Sequence, residues 1–89
     1  LNVQQQDQIN AIADHYGWVS QRKKALEELA ELIRALAIDD QENIVEEIAD
    51  VEIMTAQIKH LMNCEKQVEE VKHYKINRQL SRIADESLA

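Results

Sequence analysis

The 89-residue sequence lacks proline and phenylalanine and contains one glycine, Gly17, and one cysteine, Cys64. Without proline and with a single glycine, little in the chain breaks helices or makes tight β-turns. One cysteine excludes an internal disulfide and a cysteine zinc site, and it fits a reducing cytoplasm. No apolar run approaches the roughly 20 residues of a membrane span, and no signal peptide is visible. We therefore expect a cytoplasmic protein with no membrane partner, although the sequence begins at Leu1 and leaves its natural start open.

Positive charge is also scarce, because ten Lys and Arg residues stand against 17 Asp and Glu residues, which gives a net charge of −7. Sequence-independent binding to nucleic acid needs a basic surface, so we expect no nucleic acid polymer as a partner. The charge does not argue against a nucleotide, because a divalent metal can reverse the local sign.

The residues that are abundant favour helices, since Leu, Ile, Ala, Glu, Gln and Lys dominate and alternating β-branched runs are absent. We predict one all-α domain over residues 1–89. Apolar residues make up 45% of the chain, which is more than so small a monomer easily hides. We therefore expect an antiparallel helical bundle whose four-helix core is closed by oligomerisation of identical chains.

Apolar periodicity predicts four helices, over residues 1–16, 21–38, 44–62 and 68–84. The first is weak, is expected to fray over residues 1–4, and stops at Gly17. A connector over residues 18–20 follows, with Ser20 as the N-cap of the second helix. Asp39 or Asp40 is the predicted cap of the third helix, residues 63–67 form the next break, and the last five residues are predicted to be disordered.

The third predicted helix places an acidic residue on its apolar face. Glu47 lies at the centre of that face and Asp50 at its edge, at 100° per residue. The apolar stripe around them comprises Ile44, Val51, Met54, Ile58, Leu61 and Met62. An ionised carboxylate costs several kcal/mol to bury without compensation, so Glu47 needs a cation close by.

The second predicted helix offers two further carboxylates, Glu28 and Glu31, which share the border of its apolar stripe, whereas Glu27 points away. If the two helices pack antiparallel, this pair meets Glu47 and Asp50 across the interface. Four adjacent carboxylates cannot all stay ionised unaided, and a hard divalent cation resolves the conflict. Oxygen ligands select Mg²⁺ or Mn²⁺ over zinc, in an open catalytic site that leaves room for substrate phosphates. The alternative is that Glu28 and Glu31 are solvated surface residues.

The fourth predicted helix carries Lys75, Arg78 and Arg82 on one stripe, at positions i, i+3 and i+7. Two interpretations stay open. Cations near a helix C-terminus are favoured by the helix dipole. They could equally clamp the oxygens of a polyphosphate, with Arg supplying bidentate contacts.

These acidic residues carry a resemblance to a known family. Glu27-Glu28-x-x-Glu31, followed fifteen residues later by Glu47-x-x-Asp50, resembles the paired motif of the MazG-like all-α nucleoside triphosphate pyrophosphohydrolases. The similarity covers about residues 20–84, including the flanks 25–32 and 44–51. Residues 74–83 are similar to the tail of the short, phage-type members.

The resemblance implies Mg²⁺-dependent hydrolysis of a nucleoside triphosphate between its α- and β-phosphates, which gives the monophosphate and pyrophosphate. It implies that Glu28, Glu31, Glu47 and Asp50 are the metal ligands and catalytic residues, one of them positioning and activating water. It leaves the role of Glu27 open.

The resemblance also assigns a substrate-binding set. Lys75, Arg78 and Arg82 would neutralise charge on the phosphates, and Gln21 and Trp18 would contact the base or sugar. The implied assembly is a homodimer or homotetramer around a four-helix core.

A competing hypothesis is a non-catalytic helical oligomerisation or interaction module of phage or prophage origin. It predicts no metal affinity and equal tolerance of substitution at Glu47 and Glu42.

Overall fold

The described residues, 2–88 of a computed structural model, form three α-helices: α1 (Val3–Ala37), α2 (Gln41–Met62) and α3 (Glu65–Leu88). These residues contain no β-strand, which confirms the all-α prediction. A search of the same residues finds no helix with both the length and the apolar character to cross a membrane.

Gly17 divides α1 into two parts, residues 3–16 and 18–37. Its backbone has φ 81° and ψ 173°, a conformation that is almost exclusive to glycine. The predicted helix stop at Gly17 is confirmed as a kink, but the predicted connector over residues 18–20 is wrong. Trp18 to Ser20 are helical, so Ser20 is not an N-cap. The physical reason is that one positive-φ residue redirects the chain by itself, after which the helix resumes immediately.

The N-terminal ends of α1 and α2 are both capped. The Asn2 side chain accepts a hydrogen bond from the Gln5 backbone N–H at 2.8 Å. The fraying predicted for residues 1–4 is therefore not seen from residue 2 onward, and Leu1 lies outside the described residues. The predicted cap at Asp40 is confirmed, since its side chain accepts from the Asn43 N–H at 3.3 Å. Because Asp40 is the N-cap, α2 begins at the next residue, Gln41, which lies before the predicted range of residues 44–62.

The connection between α2 and α3 is shorter than predicted. Asn63 adopts a left-handed conformation (φ 52°, ψ 46°) and ends α2, and α3 begins at Glu65. The C-terminal end of α3 also differs, because the helix continues through residues 85–88, which were predicted to be disordered. Nothing in that stretch interrupts a helix, and the Ser87 hydroxyl donates back to the Ile83 carbonyl at 3.0 Å. Ala89 lies outside the described residues.

The two helices α1 and α2 pack as an antiparallel hairpin, which contains the core. Its buried apolar residues are Ile9, Ala13, Ala35, Met54 and Ala56. Asp14 Oδ1 lies 2.8 Å from His60 Nε2, which joins the first part of α1 to the end of α2. Beside the apolar residues, the hairpin buries four polar ones: Gln21, Glu28, Glu47 and Gln57.

Helix α3 contributes no buried residue. The Cα radius of gyration is 16.1 Å, whereas a compact chain of this length has about 12 Å. The accessible surface is 7070 Å², against roughly 5,400 Å² for a compact monomer of this mass. The described part of a single chain therefore contains a two-helix core with an extended third helix.

Candidate metal centre

Three carboxylates from the two helices of the hairpin converge. Glu28 comes from α1 and Glu47 and Asp50 from α2, and one carboxylate oxygen of each lies within 4.8 Å of the others. Glu28 and Glu47 are 7% and 8% exposed, which makes them as buried as Met54 in the core. Asp50 is exposed and forms the open side of the cluster.

Helical spacing explains the convergence. Glu47 and Met54 are seven residues apart and therefore share the α1-facing stripe of α2. Glu28 and Ala35 have the same spacing on α1, and both are buried. The stripe that supplies the core of the hairpin thus also carries the two buried acids.

The electrostatics of the cluster disfavour full ionisation. Burial raises the pKa of the Glu47 carboxyl, and the negative charges of Glu31, Asp50 and Glu28 raise it further. Glu31 is exposed and is not one of the three converging carboxylates. Its charge nevertheless raises the pKa of Glu47 more than the charge of Asp50 or of Glu28 does. The other three predicted carboxylates therefore all raise the pKa of Glu47.

A lysine that the sequence analysis did not single out compensates part of this charge. Lys24 Nζ lies 3.2 Å from Glu28 Oε1 and 3.7 Å from Glu27 Oε2. The hydrogen bond and the charge of Glu28, followed by the charge of Glu27, raise the pKa of Lys24. The signal was the i,i+4 spacing of Lys24 and Glu28 on one helix. Lys24 is solvent-exposed, so its screening of the buried oxygens is incomplete.

Two buried oxygens in the cluster have no hydrogen-bond partner within residues 2–88, namely Oε2 of Glu28 and Oε2 of Glu47. Buried charged groups are ordinarily paired or coordinate a metal. An octahedral Mg²⁺ with bonds of about 2.1 Å places its ligand oxygens about 3 to 4 Å apart. The oxygens of Glu28, Glu47 and Asp50 lie within 4.8 Å of one another, which is wider than that spacing, but all three are carboxylates, the donor class that a hard divalent cation prefers.

A cavity of about 370 Å³ between α1 and α2 is lined by Gln21, the residue predicted to contact the base or sugar. Gln21 is 4% exposed. Lys24 lines the same cavity, and so does Gln57, a buried residue that the sequence analysis missed. Its signal was a polar side chain seven residues beyond Asp50, on the same side of α2. Trp18 lines a different cavity, so it does not share a wall with Gln21.

The predicted phosphate-binding residues lie elsewhere on the chain. Lys75, Arg78 and Arg82 are exposed on α3 and form no ion pair within residues 2–88. The Arg78 guanidinium stands 5.6 Å from the centre of the Tyr74 ring. Lys75 lines a shallow cavity on α3 with its neighbours Val71 and Lys72.

The cavities that Lys72 of α3 lines are not lined by any of the predicted carboxylates. Lys72 of α3 shares a cavity with Leu29 of α1 and Thr55 of α2. At 100° per residue, Leu29 lies about 160° from Glu31 around α1, and Thr55 lies about 140° from Asp50 around α2. Within residues 2–88, no ion pair or cavity described above joins the three cations to the carboxylates.

Comparison with known proteins gives no match. This result holds for a scan against protein-family models, for a search of curated proteins and for a search of solved structures. Any functional conclusion must therefore come from the residues of the chain.

Proposed function

We propose that the chain is a MazG-like, Mg²⁺-dependent nucleoside triphosphate pyrophosphohydrolase that releases pyrophosphate and a nucleoside monophosphate. The observation that carries the proposal is the convergence of Glu28, Glu47 and Asp50, with unpartnered oxygens on the two buried members. A hairpin that buries two acids at one position loses stability unless a cation offsets their charge. The paired acidic motif of the sequence resembles a family that uses such a site on triphosphates.

The residues divide the chemistry between them. Glu28, Glu47 and Asp50 would hold the cation, with Glu31 at the exposed rim completing the set. Bound there, Mg²⁺ or Mn²⁺ would supply Lewis-acid polarisation and charge neutralisation. Water attacks phosphorus, the α–β anhydride bond breaks, and pyrophosphate leaves. The proton of the attacking water passes to a rim carboxylate, for which Glu31 is best placed because it is accessible to solvent and close to Glu47.

The proposal includes a homodimer or homotetramer, in which the four-helix core is completed between chains. The area exceeding that of a compact monomer supports this assembly, since a standard interface buries about 800 Å² per partner. In such an assembly, the phosphates of a substrate held at the carboxylates of one chain would be bound by Lys75, Arg78 and Arg82 of another chain. Charge neutralisation on the phosphates would then depend on assembly.

The direct test is release of pyrophosphate from a panel of common ribonucleoside and deoxyribonucleoside triphosphates with Mg²⁺. We expect turnover of at least one nucleotide, and its loss in Glu47→Gln with the helical content and assembly unchanged. Glu46→Gln is the matched control, because Glu46 is the exposed neighbour on the same helix. Absence of release from every nucleotide, with metal bound, would overturn the proposal.

A non-catalytic interaction module is the second candidate, and the exposed apolar side chains of α3 favour it. It expects Glu47→Leu to raise the melting temperature without loss of function, since the substitution removes a buried charge. It also expects the same melting temperature with and without Mg²⁺. A rise on adding Mg²⁺ excludes it as the sole role of the hairpin, because ligand binding to the native state stabilises that state.

A further inference from the structure

A second cavity opens between the hairpin and the start of α3, and we call it the α3-side groove. Its volume is about 660 Å³, and it is lined by residues of all three helices. Thr55 is the one uncharged polar residue among its lining residues, and none of the predicted carboxylates lines it. The larger apolar side chains of the lining are Trp18, Leu26, Leu29, Ile58, Met62 and Val68.

The groove has the dimensions of a bound helix. Its α1 wall runs from Trp18 to Leu29 and is therefore about 16 Å long. An amphipathic helix binds a groove through residues at i, i+3, i+4 and i+7, a stripe of about 10 Å. Trp18 is 43% exposed and Leu26 is 59% exposed, so the apolar wall is open to a partner.

The charged residues of the groove are all basic. They are Arg22, Lys59 and Lys72, in a chain that has 17 acidic and 10 basic residues. Lys72 pairs with Glu69 at 3.2 Å, whereas Arg22 and Lys59 form no ion pair within residues 2–88. An apolar groove with unpaired cations complements an apolar stripe that is flanked by acidic residues.

The apolar stripe of α3 does not have that chemistry. Residues 74–83 carry Lys75, Arg78 and Arg82 and contain no acidic residue. A second copy of α3 in the groove would bring these cations against the cations of the groove, and like charges that face one another across an interface are unfavourable. The charge of the groove therefore calls for an occupant of the opposite sign.

We propose that the α3-side groove binds an acidic amphipathic helix of another protein. The apolar stripe of that helix packs against Leu26, Leu29 and Met62, and its flanking Asp or Glu residues pair with Arg22 and Lys59. The concave shape of the surface favours a helix over a flat lipid surface. Since no predicted carboxylate lines the groove, the inference does not depend on the proposed function.

The test uses the fluorescence of Trp18, the single tryptophan of the chain, which lies in the groove. The ligand is a synthetic amphipathic peptide of about 15 residues, without tryptophan, with leucine at positions i, i+3, i+4 and i+7 and glutamate on both flanks of that stripe. Its matched control has the same leucines and lysine in place of every glutamate. We expect the acidic peptide to shift the Trp18 emission to shorter wavelength and to bind at least about tenfold more tightly than the basic peptide. Added salt should narrow this difference, because it screens exposed charges.

Charge reversal in the protein tests which residues set the preference. Arg22→Glu combined with Lys59→Glu should invert it, so that the basic peptide binds more tightly than the acidic one. Lys23→Glu combined with Lys66→Glu is the matched control, because both lysines are exposed, neither lines the groove, and the net charge changes equally. This control should keep the wild-type preference. Circular dichroism establishes that the variants fold, and Arg22→Glu alone, at an exposed position, replaces a double variant that does not.

Three results would overturn the proposal. One is equal affinity for the two peptides, or no binding of the acidic peptide. Another is a Trp18 emission that shifts with protein concentration in the absence of peptide, which would assign the groove to a second copy of the chain. The third is a shift with vesicles of anionic phospholipid but not with the acidic peptide, which would assign the groove to a membrane surface.

Discussion

The α1–α2 hairpin and α3 depart from the usual distribution of side chains in opposite directions. The hairpin buries Gln21, Glu28, Glu47 and Gln57 in a core that has only five buried apolar residues. Helix α3 buries nothing, and it exposes large apolar side chains along its length. Acidic residues and glutamine are mostly exposed in soluble proteins, and contiguous apolar side chains are mostly covered.

We interpret both departures as missing partners of different kinds. The hairpin has buried oxygens with no hydrogen-bond partner among residues 2–88, and on the proposed function a cation and a nucleotide would interact with them. Helix α3 has apolar atoms without a packing surface, which a second chain would supply.

The largest expected effect concerns the cations of α3, which the proposed assembly brings to the substrate phosphates at the carboxylates. Replacing Lys75, Arg78 and Arg82 with Ala should lower pyrophosphate release by about 10² to 10³, the usual loss when charge stabilisation of a transition state is removed. The assay is steady-state turnover. The matched control is Lys66→Ala, a cation at the start of the same helix.

Mixing tests whether those cations act between chains. A mixture of the triple variant with Glu47→Gln should regain about a quarter of wild-type activity, because half of random dimers are mixed and each has one intact site of two. No recovery in a mixture that forms mixed assemblies would place all of these residues in one chain.

The apolar stripe of α3 should determine assembly. Ile76, Leu80 and Ile83 are spaced by three and four residues and are each about half exposed. Leu80→Glu combined with Ile83→Glu should reduce the mass in light scattering to that of one chain, 10.3 kDa. Ser81→Glu, off the stripe, should leave the assembly intact. A wild-type protein that is already a single chain would contradict the interpretation of α3.

The buried acid of the hairpin predicts a pH dependence. The folded-state pKa of Glu47 is raised, so the folded chain binds this proton more tightly than the unfolded chain does. Without metal, the free energy of unfolding should therefore fall as pH rises from the ordinary glutamate pKa through the raised one. Glu47→Gln should remove this fall and melt above wild type at neutral pH in EDTA.

Thermal melts over about pH 4 to 8 measure this difference, with Glu46→Gln as the control that keeps the wild-type slope. A Glu47→Gln variant that melts with the wild-type pH profile would show that the carboxylate is not destabilised by its surroundings.

The kink has the smallest expected effect. Gly17→Ala places a side chain in open space, so only backbone strain opposes it. A side chain in this nearly glycine-only conformation should lower the free energy of unfolding by about 1 to 3 kcal/mol. Urea unfolding measures this change. Asn63→Gly, at another helix boundary with positive φ, should change stability little. If Gly17→Ala unfolds at the same urea concentration as wild type, the backbone at residue 17 does not require glycine.

Much of the hairpin could be predicted from the sequence, because helical period is a local property. An acid at the centre of an apolar stripe identified Glu47, and i,i+3 spacing then placed Asp50 beside it. The antiparallel packing of the two helices placed Glu28 opposite. Gln57 was missed because an uncharged polar residue on a core face conflicts less with burial than a carboxylate does. Lys24 was missed because its spacing to Glu28 looks like an ordinary surface pair.

The arrangement around the kink and α3 could not be predicted in the same way. At Gly17 the sequence indicates a break but not how many residues it occupies, and Trp18 to Ser20 form helix as readily as a loop. Helix α3 buries none of its residues, so the apolar period of its sequence did not fix its direction relative to the hairpin.

The most direct measurement is titration of Mg²⁺ into the wild-type protein, Glu47→Gln and Glu46→Gln by isothermal calorimetry at neutral pH. A cation site built from the buried carboxylates predicts binding by wild type and by Glu46→Gln, and loss of binding in Glu47→Gln. Absence of binding in wild type, or equal binding by all three proteins, would contradict a metal centre at Glu28, Glu47 and Asp50.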